Sequence, residues 1–324
     1  MNLFISDEYS PSAKAILKSQ LADANIVEFN PKTVKSADLE SAEGLLIRSS
    51  FSIHKSLLDQ LPHLKWVVTS TSGFDHIDLT ECSKRDIKVS FTPEGNIQSV
   101  LELTLWFLIE GQRRVTAFRQ LVEKRKWKRD GAAAQECRGK TLGIIGYGRI
   151  GSRVADLAQS LGMQVVVHDP YINPKILEDK DIESLGVSEI FRMSDILTLH
   201  VPFTSTTREM VNEKTLELMP SHSFLINTSR GSIVKEVALI EALKSQQIGG
   251  AALDVFASEP LPSDSALRNL PNLVMTPHIG AYTEQAFAAV SRQAVEQTIA
   301  FFKHEQHHNP LPPSSAWFTA EMDS

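Results

Sequence analysis

Short apolar runs divide the chain into predicted strands, and amphipathic patterns between them predict helices. Three apolar runs in the first third predict buried strands, at 3–5, 45–47 and 66–68. Apolar positions at helical spacing predict an amphipathic helix over 11–21 and a longer helix over 99–122. The first third of the chain therefore indicates strands that alternate with helices.

A more regular alternation begins at residue 140. Six apolar runs predict strands, at 141–145, 164–168, 196–200, 224–227, 250–255 and 273–275. Helical patterns, including 150–161 and 234–243, separate several of them, and a last helix is predicted over 283–303. Strands alternating with helices imply right-handed crossovers and a parallel sheet covered on both faces, and six strands is the number in the doubly wound fold.

A glycine-rich loop follows the first strand of this series. It fits G-x-G-x-x-G with Gly146, Tyr147, Gly148, Arg149, Ile150 and Gly151. The first glycine permits a tight turn, the second permits close approach of a pyrophosphate, and the third permits close packing of helix on strand. The helix that follows offers free N–H groups and a positive dipole end to the anion. The loop therefore predicts a dinucleotide site.

Asp169, at the end of the next strand, supplies a second test of that site. An acid about 20 residues beyond the glycines is expected to bind the ribose hydroxyls. Its charge would repel the additional phosphate of NADP, so we expect NAD as the cofactor. Because Arg149 lies in the glycine loop, NADP stays open as the alternative cofactor.

Composition narrows the classes of function. The length of 324 residues favours two domains, and a net charge of −6 argues against binding to nucleic acid or to an anionic membrane. The two cysteines, Cys82 and Cys137, have no metal-ligand spacing, so we expect no metal site. We find no signal-peptide pattern and no apolar run near the roughly 20 residues of a membrane span. We therefore expect a soluble, cytoplasmic protein.

Polar residues with chemical potential lie in the loops after the last three predicted strands. They are Arg230, Asp254, Glu259 and His278. Ligands bind at the carboxyl ends of the strands in an open α/β sheet, so we expect these side chains to face one crevice. An arginine fork, a carboxylate and an imidazole can bind a carboxylate group, polarise a carbonyl and transfer a proton.

At these residues the sequence resembles the NAD-dependent D-isomer-specific 2-hydroxyacid dehydrogenase family. The resemblance covers about 45–302 and includes the segments 140–146, 200–202, 227–231, 250–260 and 276–280. It implies that Arg230, Glu259 and His278 are catalytic and that Asp254 contacts the nicotinamide. It also implies that Pro202 and Thr228 belong to the cofactor site.

The resemblance also implies the architecture. A doubly wound (Rossmann) NAD-binding domain, expected at 99–284, is inserted into a smaller, flavodoxin-like α/β substrate domain, expected at 1–98 and 285–324. Members of the family commonly form dimers through the cofactor domain and the long helix, so we expect a homodimer.

Three residues of the first part match substrate positions of the family: Arg48, Ser72 and Gly73. The loop that contains Ser72 and Gly73 departs from the family pattern G-x-G-x-D, because Thr71 stands where the first glycine is expected. Because of this departure, the sequence leaves the identity of the substrate open.

The sequence therefore predicts an oxidoreductase that interconverts a D-2-hydroxy acid and a 2-oxo acid with NAD. Within the family it most resembles the phosphoglycerate dehydrogenases. Two alternatives stay open: a glyoxylate or hydroxypyruvate reductase, and an NAD-sensing corepressor that uses the same fold to bind a partner.

Overall fold

A computed structural model describes residues 1–127 and 133–313. The chain divides into two compact units, one formed by Met1–Gln98 with the segment from Ala281 onward, the other by Ser99–Gly280. The boundary expected after residue 284 lies a few residues beyond this division. The end of the predicted substrate domain, 314–324, lies outside the described residues.

The strands and helices have the following bounds. The strands are β1 (Asn2–Ser6), β2 (Asn25–Phe29), β3 (Gly44–Ile47), β4 (Trp66–Thr69), β5 (Lys88–Phe91), β6 (Thr141–Ile145), β7 (Gln164–His168), β8 (Glu183–Ser184), β9 (Ile196–Leu199), β10 (Phe224–Asn227), β11 (Gly250–Leu253), β12 (Leu273–Met275) and β13 (Pro310–Leu311). The α-helices are α1 (Pro11–Gln20), α2 (Lys55–Leu58), α3 (Leu79–Lys84), α4 (Ile97–Arg113), α5 (Val115–Glu123), α6 (Gly151–Ser160), α7 (Pro174–Glu178), α8 (Val187–Met193), α9 (Glu213–Leu216), α10 (Glu236–Lys244) and α11 (Glu284–His304). Short 3₁₀ helices lie at Ser36–Leu39, Gly231–Ile233 and Ala266–Asn269.

The sheet of the first unit has the strand order β13-β5-β4-β3-β1-β2. The first five strands of the chain pair in parallel, and β13 is antiparallel to β5. The parallel order 2-1-3-4-5 is that of flavodoxin-like folds, as predicted. The apolar pattern did not mark the edge strand β2, because it is only partly buried and carries polar residues within its run.

The sheet of the second unit has the order β12-β11-β10-β9-β6-β7-β8, and its strands pair in parallel. The chain proceeds outward from β6 in both directions, which confirms the doubly wound fold. The predicted number of six strands is wrong, because β8 makes this sheet seven-stranded. Both residues of β8 are polar and exposed, so no apolar run marked it.

Alternate residues of the central strands belong to opposite cores. In β3, Leu45 and Ile47 pack on one side of the sheet and Leu46 packs on the other. In β6, Ile145 and Ile144 are divided in the same way. Because both faces are covered, these strands are continuous apolar runs and could be found in the sequence.

The helix predicted over 99–122 is two helices. Arg114, between α4 and α5, has a φ of 50° in the left-handed region, which ends the first helix. The buried carboxylate of Glu110 accepts hydrogen bonds from the Thr116 N–H at 3.0 and 3.2 Å and so caps the second. The apolar pattern continues across this break, so the sequence predicted one helix. The pattern indicates which face of a helix is buried and does not indicate the backbone angle of one residue.

Candidate active site

The glycine loop connects β6 to α6 in the second unit. Gly146 has a φ of 93°, and a Cβ there would lie 2.5 Å from the carbonyl oxygen of His200. A Cβ at Gly151 would lie 2.1 Å from the carbonyl oxygen of Gly146. A Cβ at Gly148 would meet nothing within 4 Å, so the loop is open on that side. Two glycines are therefore required by packing, and the third borders open space, where a ligand can approach the backbone.

Asp169 lies directly beside this loop. Its Oδ2 accepts a hydrogen bond from the N–H of Tyr147 at 2.8 Å, and its Oδ1 accepts one from the N–H of Tyr171 at 2.9 Å. The structure thus brings the predicted ribose-binding carboxylate and the glycine loop together. It also shows a role that the spacing did not indicate, since the carboxylate ties the loop to the end of β7.

Pro202 and Thr228 follow β9 and β10, which continue the sheet next to β6. The carbonyl oxygen of Pro202 accepts a hydrogen bond from the Thr207 hydroxyl at 2.7 Å. The hydroxyl of Thr228 lies 3.1 Å from that of Thr104 on α4. Both predicted cofactor positions therefore lie at the same sheet edge as the glycine loop.

The loop that carries Arg230 is held by Asn227, the last residue of β10. The Asn227 side chain is fully buried, and its Nδ2 donates to the carbonyl oxygen of Arg230 at 2.9 Å. Its Oδ1 accepts from the N–H and the hydroxyl of Ser229 at 3.0 and 2.8 Å. The guanidinium of Arg230 donates to the carbonyl oxygen of Ser229 at 2.7 Å and is partly exposed. Sequence analysis missed this role of Asn227, although the residue stands in the quoted 227–231 segment.

Gly231 brings the Arg230 loop against the loop that follows β11. A Cβ at Gly231 would lie 1.9 Å from the carbonyl carbon of Phe256 and 2.5 Å from the N of Ala257. Only glycine permits this approach of two backbones. The loops that carry Arg230 and Glu259 are consequently packed directly on each other.

Asp254 organises the loop that carries His278. The carboxylate is almost fully buried and accepts hydrogen bonds from the Thr276 hydroxyl at 2.6 Å and from the N–H groups of Ile279 and Gly280, each at 2.8 Å. Burial raises the pKa of Asp254, and these hydrogen bonds oppose that rise. The carbonyl oxygen of Asp254 also accepts from the His278 N–H at 2.8 Å. Its observed partners are therefore groups of this chain around His278.

Glu259 and His278 form a close pair. Oε2 of Glu259 lies 2.6 Å from Nδ1 of His278, and Oε1 accepts from the N–H of Phe256 at 2.9 Å. His278 has a φ of 55°, and its side chain is 49% exposed. Nε2 of the ring has no hydrogen-bond partner among the described residues, so this nitrogen is available to a ligand.

The pair shifts the pKa of both groups. The hydrogen bond to Glu259 raises the pKa of His278; burial opposes the rise, and the charges of Glu259 and Asp254 add to it. For Glu259, burial acts to raise the pKa, but the hydrogen bond from His278, the bond from Phe256 and the charges of His278 and Arg230 lower it overall. The arrangement favours a carboxylate beside a protonated imidazole.

The predicted substrate residues lie in the first unit. The guanidinium of Arg48 stands over the ring of Phe287, 5.3 Å from its centre, and its buried Nη1 has no hydrogen-bond partner among the described residues. The hydroxyl of Ser72 donates to Oδ1 of Asn96 at 2.6 Å, and Gly73 follows in the same loop after β4.

Two features are absent from residues 1–127 and 133–313. No cluster of three or more His, Cys, Asp or Glu side chains is placed to hold a metal ion. No helix in this part of the chain has the length and apolarity required to cross a membrane.

Comparison with known proteins identifies the family. The profile for the D-isomer specific 2-hydroxyacid dehydrogenase, NAD binding domain, matches residues 105–280. The D-3-phosphoglycerate dehydrogenase of Bacillus subtilis (strain 168) is 35% identical over 285 residues, which cover 87% of this chain and 54% of the relative. The chain thus spans about half the length of the curated relatives it matches.

Solved structures share the whole fold. The D-lactate dehydrogenase from Aquifex aeolicus, in complex with NAD and lactic acid, superimposes with a TM-score of 0.87 at 30% identity, covering 97% of this chain and 100% of that one. The NAD-dependent formate dehydrogenase from Staphylococcus aureus, in complex with NAD, gives a TM-score of 0.84 at 25% identity and covers 97% and 100% of the two chains.

The doubly wound sheet and its glycine loop define the second unit as a dinucleotide-binding domain. The chain belongs to the D-isomer specific 2-hydroxyacid dehydrogenase family, as the sequence motifs predicted.

Proposed function

We propose that this protein is an NAD-dependent D-2-hydroxyacid dehydrogenase, which reduces a 2-oxo acid to the D-2-hydroxy acid and catalyses the reverse oxidation. One observation carries the proposal. The Glu259–His278 pair, with Nε2 of the imidazole available, occupies the same unit as the glycine loop. The loop that carries Arg230 packs on the loop that carries Glu259, so the three proposed catalytic residues belong to the same unit.

The chain's own residues fit NAD. Gly148 borders open space, so the backbone of the glycine loop and the N-terminus of α6 can hold the pyrophosphate. Each oxygen of Asp169 accepts one backbone N–H and keeps capacity for a ribose hydroxyl. When bound, the nicotinamide supplies the hydride.

Arg230 is proposed to bind the substrate carboxylate and to polarise the carbonyl oxygen. Its planar guanidinium can form two parallel hydrogen bonds, and it stabilises the negative charge that develops on that oxygen. Asn227 holds the backbone on both sides of this residue, so the guanidinium is presented from a fixed loop.

His278 is proposed to move the proton. In reduction, protonated Nε2 would donate its proton to the carbonyl oxygen, which becomes the hydroxyl oxygen of the product. In oxidation, the neutral ring accepts that proton. Glu259 orients the ring through Nδ1 and favours its charged form, because its carboxylate raises the pKa of His278.

For the substrate, we propose a phosphorylated 2-hydroxy acid of the phosphoglycerate class. The similarity to D-3-phosphoglycerate dehydrogenases supports this class. Arg48, which matches a substrate position of the family, is proposed to contact the substrate.

The test is a panel of 2-oxo acids, phosphorylated and unphosphorylated, assayed with NADH and NADPH by the loss of nicotinamide absorbance. The panel includes 3-phosphohydroxypyruvate, hydroxypyruvate, glyoxylate and pyruvate. We expect the first, with NADH, to give the highest kcat/KM. Preference for glyoxylate or hydroxypyruvate contradicts the phosphorylated class but retains the reaction. Absence of turnover with intact NAD binding contradicts the enzyme and supports the corepressor alternative.

We further propose a homodimer that uses the outer face of α4 and α5. Trp106, Val115 and Val122 are 41%, 55% and 60% exposed there, and α5 has no buried residue. Large apolar side chains that stay exposed on consecutive helices are available for an interface. Sedimentation velocity of the native protein and of Val122→Asp tests this, and a native monomer contradicts it.

We propose a cytoplasmic location as well. Cys82 and Cys137 are both unpaired, as is usual for proteins of a reducing compartment. Cell fractionation with an antibody against the native protein tests the location, and recovery outside the cytoplasmic fraction contradicts it.

A further inference from the structure

The loop that carries Glu259 crosses the surface of the second unit between two side chains that pack in its core. Phe256 is buried, and Leu261, which is partly buried, packs against the same core cluster. The four residues between them, 257–260, are exposed. Within the described part of the chain, no backbone–backbone hydrogen bond joins residues 255–261 to another segment. The path of this loop therefore depends on side chains.

Glu236 binds the start of this loop. It lies in the first turn of α10, and its Oε1 accepts a hydrogen bond from the N–H of Ala257 at 2.6 Å. The preceding N–H, that of Phe256, donates to Oε1 of Glu259 at 2.9 Å. The two peptide groups share the Cα of Phe256, whose side chain is buried. Because each peptide group is planar, the bond to Glu236 limits how far the Phe256 N–H can turn away from Glu259.

Arg268 binds the end of the loop. It lies in the 3₁₀ helix Ala266–Asn269, and its Nε donates to the carbonyl oxygen of Pro262 at 2.9 Å. Its Nη2 donates to the carbonyl oxygen of Leu261 at 2.7 Å. A planar guanidinium binds two acceptors in a fixed geometry, which a lysine ammonium cannot reproduce. The loop is therefore bound two residues before Glu259 and again two residues after it.

Neither of these two residues shifts the pKa of His278 through its own charge. The hydrogen bond to Glu259 raises that pKa, and the charged groups that act on the ring are Glu259, Asp254 and Arg230. Any influence of the residues that bind the loop must therefore pass through the position of the Glu259 carboxylate.

We propose that Glu236 and Arg268 are positioning residues, which bind the loop on both sides of Glu259 and so keep its carboxylate on Nδ1 of His278. The proposal rests on the proposed function, in which this pair moves the proton. Release of either end of the loop would let the carboxylate leave the ring. His278 would then lose the partner that favours its protonated form.

The first readout is the pKa of His278 without substrate, measured by NMR on protein with labelled histidine and assigned with His278→Gln. Glu236→Met removes the acceptor, whereas Glu236→Gln removes only the charge and keeps an oxygen that can accept from Ala257. We expect Glu236→Met to lower the pKa by roughly half a unit to one unit, the effect of one hydrogen bond, and Glu236→Gln to retain it. Glu241→Met, at an exposed position on α10, is the matched control and should retain it too.

Arg268→Met is the second test, because position and charge predict opposite results. Loss of a cation through its charge alone would raise the pKa of His278, whereas release of the loop lowers it. We expect a lower pKa in Arg268→Met and a smaller decrease in Arg268→Lys, which can still bind one carbonyl oxygen. Arg192→Met, at an exposed position on α8, is the matched control.

A Glu259→Gln background separates an effect on Glu259 from a general loss of structure. In that background, Glu236→Met should leave the pKa of His278 unchanged, because the carboxylate through which it acts is already absent. In the native background, the alkaline limb of kcat/KM for reduction should move to lower pH together with the pKa. Thermal unfolding verifies folding, and Glu236→Ala replaces Glu236→Met if that variant does not fold.

An unchanged pKa of His278 in both Glu236→Met and Arg268→Met overturns the proposal, and a decrease in only one of them overturns the role of the other residue. Equal decreases in Glu236→Gln and Glu236→Met also overturn it, because the charge would then be responsible. The expected decreases in a protein that reduces no 2-oxo acid support the positioning role and contradict only the proposed function.

Discussion

Nδ1 of His278 lies 2.6 Å from Oε2 of Glu259, while the opposite ring nitrogen has no partner among the described residues. One side of the imidazole is therefore held by a carboxylate, and the other is available for proton transfer. The two residues come from different loops, after β11 and after β12. Their approach makes the charge of Glu259 and the proton of His278 a coupled system, which kinetics can test.

The first prediction concerns Glu259→Gln, which removes the charge and retains most of the shape. Glu259 raises the pKa of His278, so the variant should lower that pKa. In the proposed mechanism, reduction requires the protonated ring and is lost as pH rises through the pKa, so the alkaline limb of its pH profile should move to lower pH. Oxidation requires the neutral ring, and its acidic limb should move in the same direction.

Profiles of kcat/KM against pH in both directions provide the measurement. Glu241→Gln, on the exposed surface of α10, is the control and should leave both profiles unchanged. Superimposable profiles for the native protein and Glu259→Gln would show that Glu259 is not coupled to the proton donor.

The second prediction concerns Arg230→Lys. A lysine ammonium cannot form two parallel hydrogen bonds to a carboxylate, so the variant should raise KM and lower kcat. Loss of one charged hydrogen bond corresponds to roughly 10- to 100-fold in kcat/KM. Steady-state kinetics with the best 2-oxo acid measure it, and Arg192→Lys, at an exposed position on α8, serves as the control. Native kinetics in Arg230→Lys would show that Arg230 does not bind the substrate carboxylate through two hydrogen bonds.

The third prediction concerns cofactor choice. Asp169→Asn removes the charge and retains one oxygen, which can accept from the N–H of Tyr147 and so hold the glycine loop, while the bond from Tyr171 is lost. The ratio of kcat/KM for NADH to that for NADPH should fall, because repulsion of the additional phosphate is lost. Asp179→Asn, an exposed residue after α7, should leave the ratio unchanged. An unchanged ratio in Asp169→Asn would contradict the assignment.

The fourth prediction concerns the contact of two loops at Gly231. In Gly231→Ala, the Cβ would lie 1.9 Å from the Phe256 carbonyl carbon, so the backbone must move. We expect a loss of about 1–3 kcal/mol in the free energy of unfolding and a lower kcat, since the loops of Arg230 and Glu259 separate. Denaturant unfolding and kinetics measure the two effects.

Gly186→Ala is the matched control in the same unit. Its φ of −69° suits alanine, and its Cβ would meet only the flexible Glu189 side chain at 3.3 Å. The cost should stay below about 1 kcal/mol, with native kcat. Equal stability and activity in Gly231→Ala and Gly186→Ala would show that the two loops are not in the close contact described.

The sequence alone determined the class of fold, the family and the place of the glycine loop. The central strands are buried on both faces, so their residues form continuous apolar runs that can be read without a structure. The glycine loop was recognisable because its backbone geometry excludes side chains at Gly146 and Gly151. Both signals are local, since a few neighbouring residues carry each of them.

The tertiary structure was needed for the features that no local sequence pattern indicates. The edge strands β2 and β8 depend on pairing with a neighbour, and the break at Arg114 depends on one backbone angle and on the carboxylate of Glu110. The sequence gives the residue types of Asn227, Asp254 and Thr71. Their hydrogen-bond partners became evident only in the folded loops. Sequence spacing gives the position of a residue along the chain, whereas a hydrogen bond depends on the distance between residues that the fold brings together.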